Sequence, residues 1–285
     1  RTFLHSMDKS RHDSHAIAED AGLPMMIKRD LLLMVILLQV GLAASCTFEQ
    51  PMPNGCESQI VAPGPEAFVF DSSLGERLLV SASRKDPGGA AACNISEPAA
   101  ECGQILAVPL AEDGALQDPM VMELRNRPES FARFKPLGLS LVRENRDGIR
   151  LGWPLLYILQ KEDERSHVEL YEVHADHLLY VDQPAAHVDL AENSNNILGT
   201  KDGRLFATLF NSQGEVLCSN QIREFVEDEW VEVGECLRGG NGIVTDGVGQ
   251  IYVSAFYDAQ VHVYDLGIEP GQLNFVRAIN LETPG

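Results

Sequence analysis

Three side chains in this sequence offer hard oxygen donors at matching positions: Glu66, Asn195 and Asn241. Asn195 opens the stretch NNILGTKDGRLFATLF and Asn241 opens NGIVTDGVGQIYVSAF, and the two read as copies. Each starts on Asn, crosses a short apolar run and a Gly-bearing turn, and returns along alternating apolar residues to Phe210 or Phe256. Glu66 in GPEAFVFD and Leu137 in FKPLGLSL take the same leading position in two earlier units. One carboxylate and two amide oxygens around a shared axis suit Ca²⁺, whereas zinc or copper would want His or Cys. Three donors fall short of the coordination Ca²⁺ takes, so water, substrate or further residues would complete it. Asn is also a common opener of hairpins, and on spacing alone that plainer role competes with the metal one.

Such residues need elements to hold them, and the chain supplies period-2 runs between turn residues with hardly any helical period. The first set of runs is 68–71, 77–83, 104–110 and 120–124; the second is 137–142, 155–160, 168–173 and 178–182. The third, led by Asn195, is 197–200, 205–210, 215–218 and 229–233. The fourth, led by Asn241, is 243–246, 250–256, 261–266 and 275–279. In three of the sets the third run repeats a motif: ILAVPL, VELYEV and VHVYDL. Four sets of four strands, spaced by roughly 45–70 residues, predict an all-β fold, a β-propeller. A β-sandwich has no reason to repeat a four-strand unit in this order. The innermost strand of each propeller blade lines the central channel, where the four leading residues would meet. Either the ring has four blades, or about four blades of a six-bladed type are present and the propeller is incomplete at the C-terminus. A broken ring would expose a sheet edge.

Charge and the N-terminal residues bound the setting. With 42 Asp and Glu against 22 Lys and Arg, the formal net charge is −20. That balance argues against a nucleic acid partner, which needs clustered Lys and Arg. Residues 1–24 carry no apolar period and precede a better start at Met25 or Met26, so they read as non-native or a misassigned start. A short charged lead, Met25 to Asp30, is followed by apolar residues from Leu31 to Ala44, interrupted at Gln39. The run is too short to span a bilayer comfortably and matches the core of a signal peptide. Ala43-Ala44-Ser45 then precede Cys46, close to a lipobox in which Cys46 is the acylated first residue, although Leu42 lies one place off the usual position. Residues 25–46 are therefore expected to direct export, to a periplasmic or membrane-anchored lipoprotein or to secretion, with residues 47–285 forming the propeller.

Export permits disulfides. Cys93 and Cys102 bracket the short loop CNISEPAAEC and are the first candidates for a bridge. Cys218 and Cys236 are either a second pair on adjacent strands or two ordinary buried thiols. No CxxC or Cys/His spacing suggests zinc.

The segments GPEAFVFD, FKPLGLSL, SHVELYEV, NSNNILGTKDGRLFATLF and GGNGIVTDGVGQIYVSAF resemble the serum paraoxonase and arylesterase family, related more distantly to the SMP-30/gluconolactonase group. The resemblance covers about residues 56–285. It implies a six-bladed, calcium-dependent β-propeller that hydrolyses lactones and aryl esters. One Ca²⁺ is structural, and a second binds the substrate carbonyl and stabilises the oxyanion that develops there. Position by position, Glu66, Asn195 and Asn241 match three ligands of the catalytic ion, and an Asp-Asn pair would follow just after Gly285. Asn196 stands where the family has an acidic ligand of the structural ion, and Ala67 replaces another such ligand. Cys56 would lack its C-terminal partner. The family's proposed base, a His on the second inner strand, is Leu137 here, and its assisting His would fall near Gln160-Lys161. His167, His174, His177 and His187 read as surface or packing residues on outer strands, and Asp202 and Asp246 as turn formers. Two functions follow: a calcium-dependent hydrolase of a small-molecule ester or lactone, or a non-catalytic exported propeller that binds a ligand or protein.

Overall fold

Alternation of β-branched and aromatic residues with small or polar ones makes strands here, because branched side chains pack well on a pleated surface. The computed structural model describes residues 65–83, 103–131, 134–144, 148–161, 165–191, 193–210 and 221–281, which form four sheets in chain order. The first blade is β1 (Pro65–Asp71), β2 (Arg77–Ser83), β3 (Gly103–Pro109) and β4 (Met120–Val121). A short strand β5 (Glu123–Arg125) then joins the second blade, β6 (Pro136–Glu144), β7 (Arg150–Lys161), β8 (Ser166–Val173) and β9 (His177–Val181). The third is β10 (Ser194–Gly199), β11 (Leu205–Leu209), β12 (Ile222–Val226) and β13 (Glu229–Val233). The fourth is β14 (Gly240–Thr245), β15 (Gln250–Ala255), β16 (Gln260–Leu266) and β17 (Leu273–Asn280). Consecutive strands pair antiparallel within each blade, as a propeller arrangement requires.

Two strands differ from the sequence expectation. The run 120–124 is divided between two blades. Met122 is 2% exposed and its N–H bonds the Ile105 carbonyl, after which β5 leaves the first blade and pairs parallel with β9 of the second. This crossing ties the two outer edges together. In the third blade the third strand is Ile222–Val226, which pairs with both β11 and β13; residues 215–218 lie outside the described residues.

The inner strands stand side by side in the order β1, β6, β10, β14, with apolar layers between successive blades. Ala67, Leu79, Ile105, Leu156 and Tyr171 fill the first layer, Leu159, Ile197 and Ala207 the second, and Phe206, Ile243, Val253 and Tyr264 the third. Buried arginines reinforce two of the junctions. Arg77 pairs with Asp71 at 2.9 Å and donates to the carbonyls of His174 and Ala175 in the next blade. At the matching place in the third blade, Arg204 forks onto Glu224 and donates to the carbonyls of Gly267 and Gln272 in the fourth. A third cluster lies on the second blade. Glu169, fully buried, accepts from both Nε and Nη2 of Arg127, lies 3.1 Å from Nε2 of His167, and accepts from the Tyr171 hydroxyl. Burial pushes the Glu169 carboxyl up, but the bonds from His167, Arg127 and Tyr171 outweigh it and hold the group below its ordinary range.

Candidate functional site

Each inner strand carries a register break at its N-terminal end. In β1 it falls between Pro65 and Ala67, at Glu66; in β6 between Pro136 and Leu139, over Leu137 and Gly138. In β10 it falls between Ser194 and Asn196, at Asn195; in β14 between Gly240 and Ile243, over Asn241 and Gly242. The four residues aligned from sequence repeats are therefore among those released from ladder pairing. A β-bulge bends its strand and re-aims a side chain, which is why bulges recur beside binding sites.

Contacts between neighbouring blades set the four bulges at one level. The Ser81 hydroxyl donates to the Leu137 carbonyl at 2.6 Å, linking the first bulge to the second. Gly138 lies against Asn196 so closely that a Cβ there would sit 2.5 Å from Asn196 Oδ1 and 2.6 Å from its Cα. Only glycine permits that approach, and it links the second bulge to the third. The Thr208 hydroxyl donates to the Asn241 carbonyl at 2.5 Å, linking the third to the fourth.

The donors differ in their surroundings. Glu66 and Asn195 are half-buried. Asn241 is 5% exposed, and its side-chain Nδ2 is buried with no hydrogen-bond partner. Orphaned buried amides are rare because each costs free energy. A half-turn about χ2 puts Oδ1 where Nδ2 stands, so this amide is able to present an oxygen to a cation at that point. Asn196 is buried, and its Oδ1 accepts the Ile197 N–H at 2.8 Å, so a cation there would share an oxygen already in use. By type, Glu66, Asn195 and Asn241 fit a hard cation; by number they supply three donors and one charge. Among the described residues no group of three or more His, Cys, Asp or Glu side chains is clustered as a metal site.

No imidazole of the described residues lies on an inner strand. His167 is buried on β8 against Glu169, while His174 and His177 stack at 4.3 Å around the β8–β9 turn. His187 is exposed beside Asp182. His262 on β16, which the sequence reading passed over, contacts Tyr264 and Gln260, and burial holds its imidazole below the ordinary range. Asp246 accepts three N–H groups of its own turn, and Asp202 takes the Thr200 hydroxyl in another.

An aromatic group missed in the sequence stands at the same end of the blades. Phe210 follows β11, and Phe256 and Tyr257 follow β15, with ring centroids 5.4–5.7 Å apart. Tyr257 lies over Gly239, whose positive φ of 68° and lack of Cβ admit the ring. The signal was present, since both copies of the repeat end on Phe. Cys46, Cys93 and Cys102, with the expected leader, fall outside the described residues. Cys236 is disulfide-bonded, to a partner also outside them. Among the described residues no helix is long and apolar enough to cross a membrane.

No protein-family model matches the chain, and no curated protein does. Solved structures do. A proposed gluconolactonase is 16% identical, with 85% of this chain and 73% of that one covered and a TM-score of 0.44. The periplasmic gluconolactonase of Pseudomonas aeruginosa is 15% identical, with 81% and 60% covered and a TM-score of 0.43, so this chain spans less than two thirds of its length. A proposed oxidoreductase (glucose dehydrogenase) of Thermus thermophilus is 14% identical, with 79% and 68% covered and a TM-score of 0.40.

Proposed function

We propose that the chain is a calcium-dependent hydrolase of lactones or aryl esters, built on a propeller of the six-bladed type of which four blades are described. The observation that carries this is the tier of bulges: Glu66, Asn195 and Asn241 leave the ladder at one level, and the amide of Asn241 is buried there without a partner. A calcium ion held by these oxygens would polarise a substrate carbonyl and offset the negative charge that develops on its oxygen. Glu66 supplies the charge of the set and is the one titratable base at the four leading positions, so it is the group assigned to take the proton of the attacking water. Phe210, Phe256 and Tyr257 give an apolar rim for the organic body of an ester. Residues 25–46 are assigned to export, with Cys46 as lipid anchor, and Cys93–Cys102 to a bridge.

A second reading, a non-catalytic binding propeller, is favoured by Leu137: the second leading position holds an aliphatic side chain that can neither ligate nor move a proton. Hydrolysis of a simple lactone and of phenyl acetate, measured with and without chelator, separates the two. Turnover that disappears with chelator and returns with Ca²⁺ is expected; absence of any chelator-sensitive turnover in the intact protein favours the binding module.

A further inference from the structure

Three side chains outside the donor set grip the main chain on both sides of Asn241. The Gln221 Oε1 accepts the Gly240 N–H at 2.6 Å, the Thr208 hydroxyl donates to the Asn241 carbonyl at 2.5 Å, and the Ser254 Oγ accepts the Gly242 N–H at 2.7 Å. All three are buried, with exposures of 4%, 0% and 1%. They come from two blades: Gln221 and Thr208 from the third, Ser254 from the fourth. Peptide groups in a bulge lose ladder partners, and buried ones must find others. Here three of these groups are met by side chains, which brace the bulge, while the Asn241 side chain in its midst is left with its Nδ2 unpartnered.

We infer that Thr208, Ser254 and Gln221 are positioning residues that preset the Asn241 amide for an oxygen-seeking cation. The inference rests on the calcium reading above and deepens it. Groups that hold a ligand's backbone fixed remove the reorganisation that binding would otherwise require, and losing such outer partners weakens metal sites without touching a ligand. The second blade supplies an internal control. Its bulge is gripped in the same manner, with the Lys135 N–H on Gln160 Oε1, the Ser83 hydroxyl on the Pro136 carbonyl and the Ser81 hydroxyl on the Leu137 carbonyl. That bulge presents Leu137, which has no donor to preset. Bracing serves the fold in both blades; in the fourth it also serves the ligand.

The test compares Thr208→Val with Ser83→Ala in the intact protein, reading Ca²⁺ affinity by calorimetry and melting temperature in chelator. Both variants lose one buried bond to a bulge carbonyl, so both should melt earlier. Thr208→Val is expected to weaken Ca²⁺ binding by about tenfold or more. Ser83→Ala should leave affinity unchanged, and Thr208→Ser, which keeps the hydroxyl, should restore it. Equal affinities in wild type, Thr208→Val and Ser83→Ala would overturn the positioning role and leave the calcium reading intact. No Ca²⁺ binding by the wild type would overturn that reading and this inference with it.

Discussion

Asn241 is the residue at which stability and function part. Its carbonyl and the N–H of Gly242 after it are bonded by side chains, yet its amide nitrogen is buried without a partner, an arrangement that costs about 1–3 kcal/mol relative to a satisfied or apolar side chain. Asn241→Leu should therefore melt at an equal or higher temperature than the wild type when both are unfolded in chelator. A variant that melts clearly lower would mean that the amide is used by the fold itself. The sequence disclosed the position of this residue but not its state. Repetition of Asn before an apolar run marks a place in a hairpin. Whether that amide finds a partner depends instead on contacts from other strands, such as those carrying Thr208 and Ser254.

At the scale of elements, the register break at the head of each inner strand does the positioning. Period-2 patterning located the strands well, because one face of each is buried between blades and the alternation is written in residue type. It could not locate the bulges, since a single paired residue precedes each break, too little chain to show the change of phase that an extra residue makes. It also misplaced the third strand of the third blade and ran β4 and β5 together, because neither chain reversal nor blade exchange has a signature in a short apolar run. One glycine tests the tier directly. A Cβ at Gly138 would press on Asn196 Oδ1, Asn196 Cα and the Ile197 N atom at 2.5–2.8 Å, two of them backbone. Gly138→Ala must therefore separate β6 from β10, at a cost of about 1–3 kcal/mol. Denaturant unfolding should show the midpoint shifting to lower concentration. Substitution of Gly148, with a positive φ but open space around it, would report backbone strain alone and serves as the comparison.

Across the whole molecule, four blades are joined by apolar layers and by buried ion clusters at their outer parts, and the clusters fix how stability responds to acid. Asp71 and Glu169 are both held below their ordinary range in the folded protein. For each, burial pushes the carboxyl up, but bonds from Ser73 and then Arg77 to Asp71, and from His167, Arg127 and Tyr171 to Glu169, with the charge of the arginine, more than offset it. The folded state then binds fewer protons than the unfolded chain, so this stabilisation is complete above the ordinary carboxylate range, about pH 4, and is lost as pH falls through the lower folded values. Melting temperature should be level from neutral pH to about pH 5 and fall steeply below about pH 4. Glu169→Gln, which removes the buried charge on which Arg127, His167 and Tyr171 converge, should cost about 3–5 kcal/mol at neutral pH and flatten the acid limb. A melting temperature that rises on acidification would contradict the scheme.

The central claim is that the bulge tier holds a calcium ion through Glu66, Asn195 and Asn241. Calorimetric titration of the intact protein with Ca²⁺, alongside Asn241→Leu, tests it most directly. Saturable binding by the wild type, weakened at least tenfold in the variant, is the predicted result. No saturable binding by the wild type, or equal binding by the variant, would contradict it.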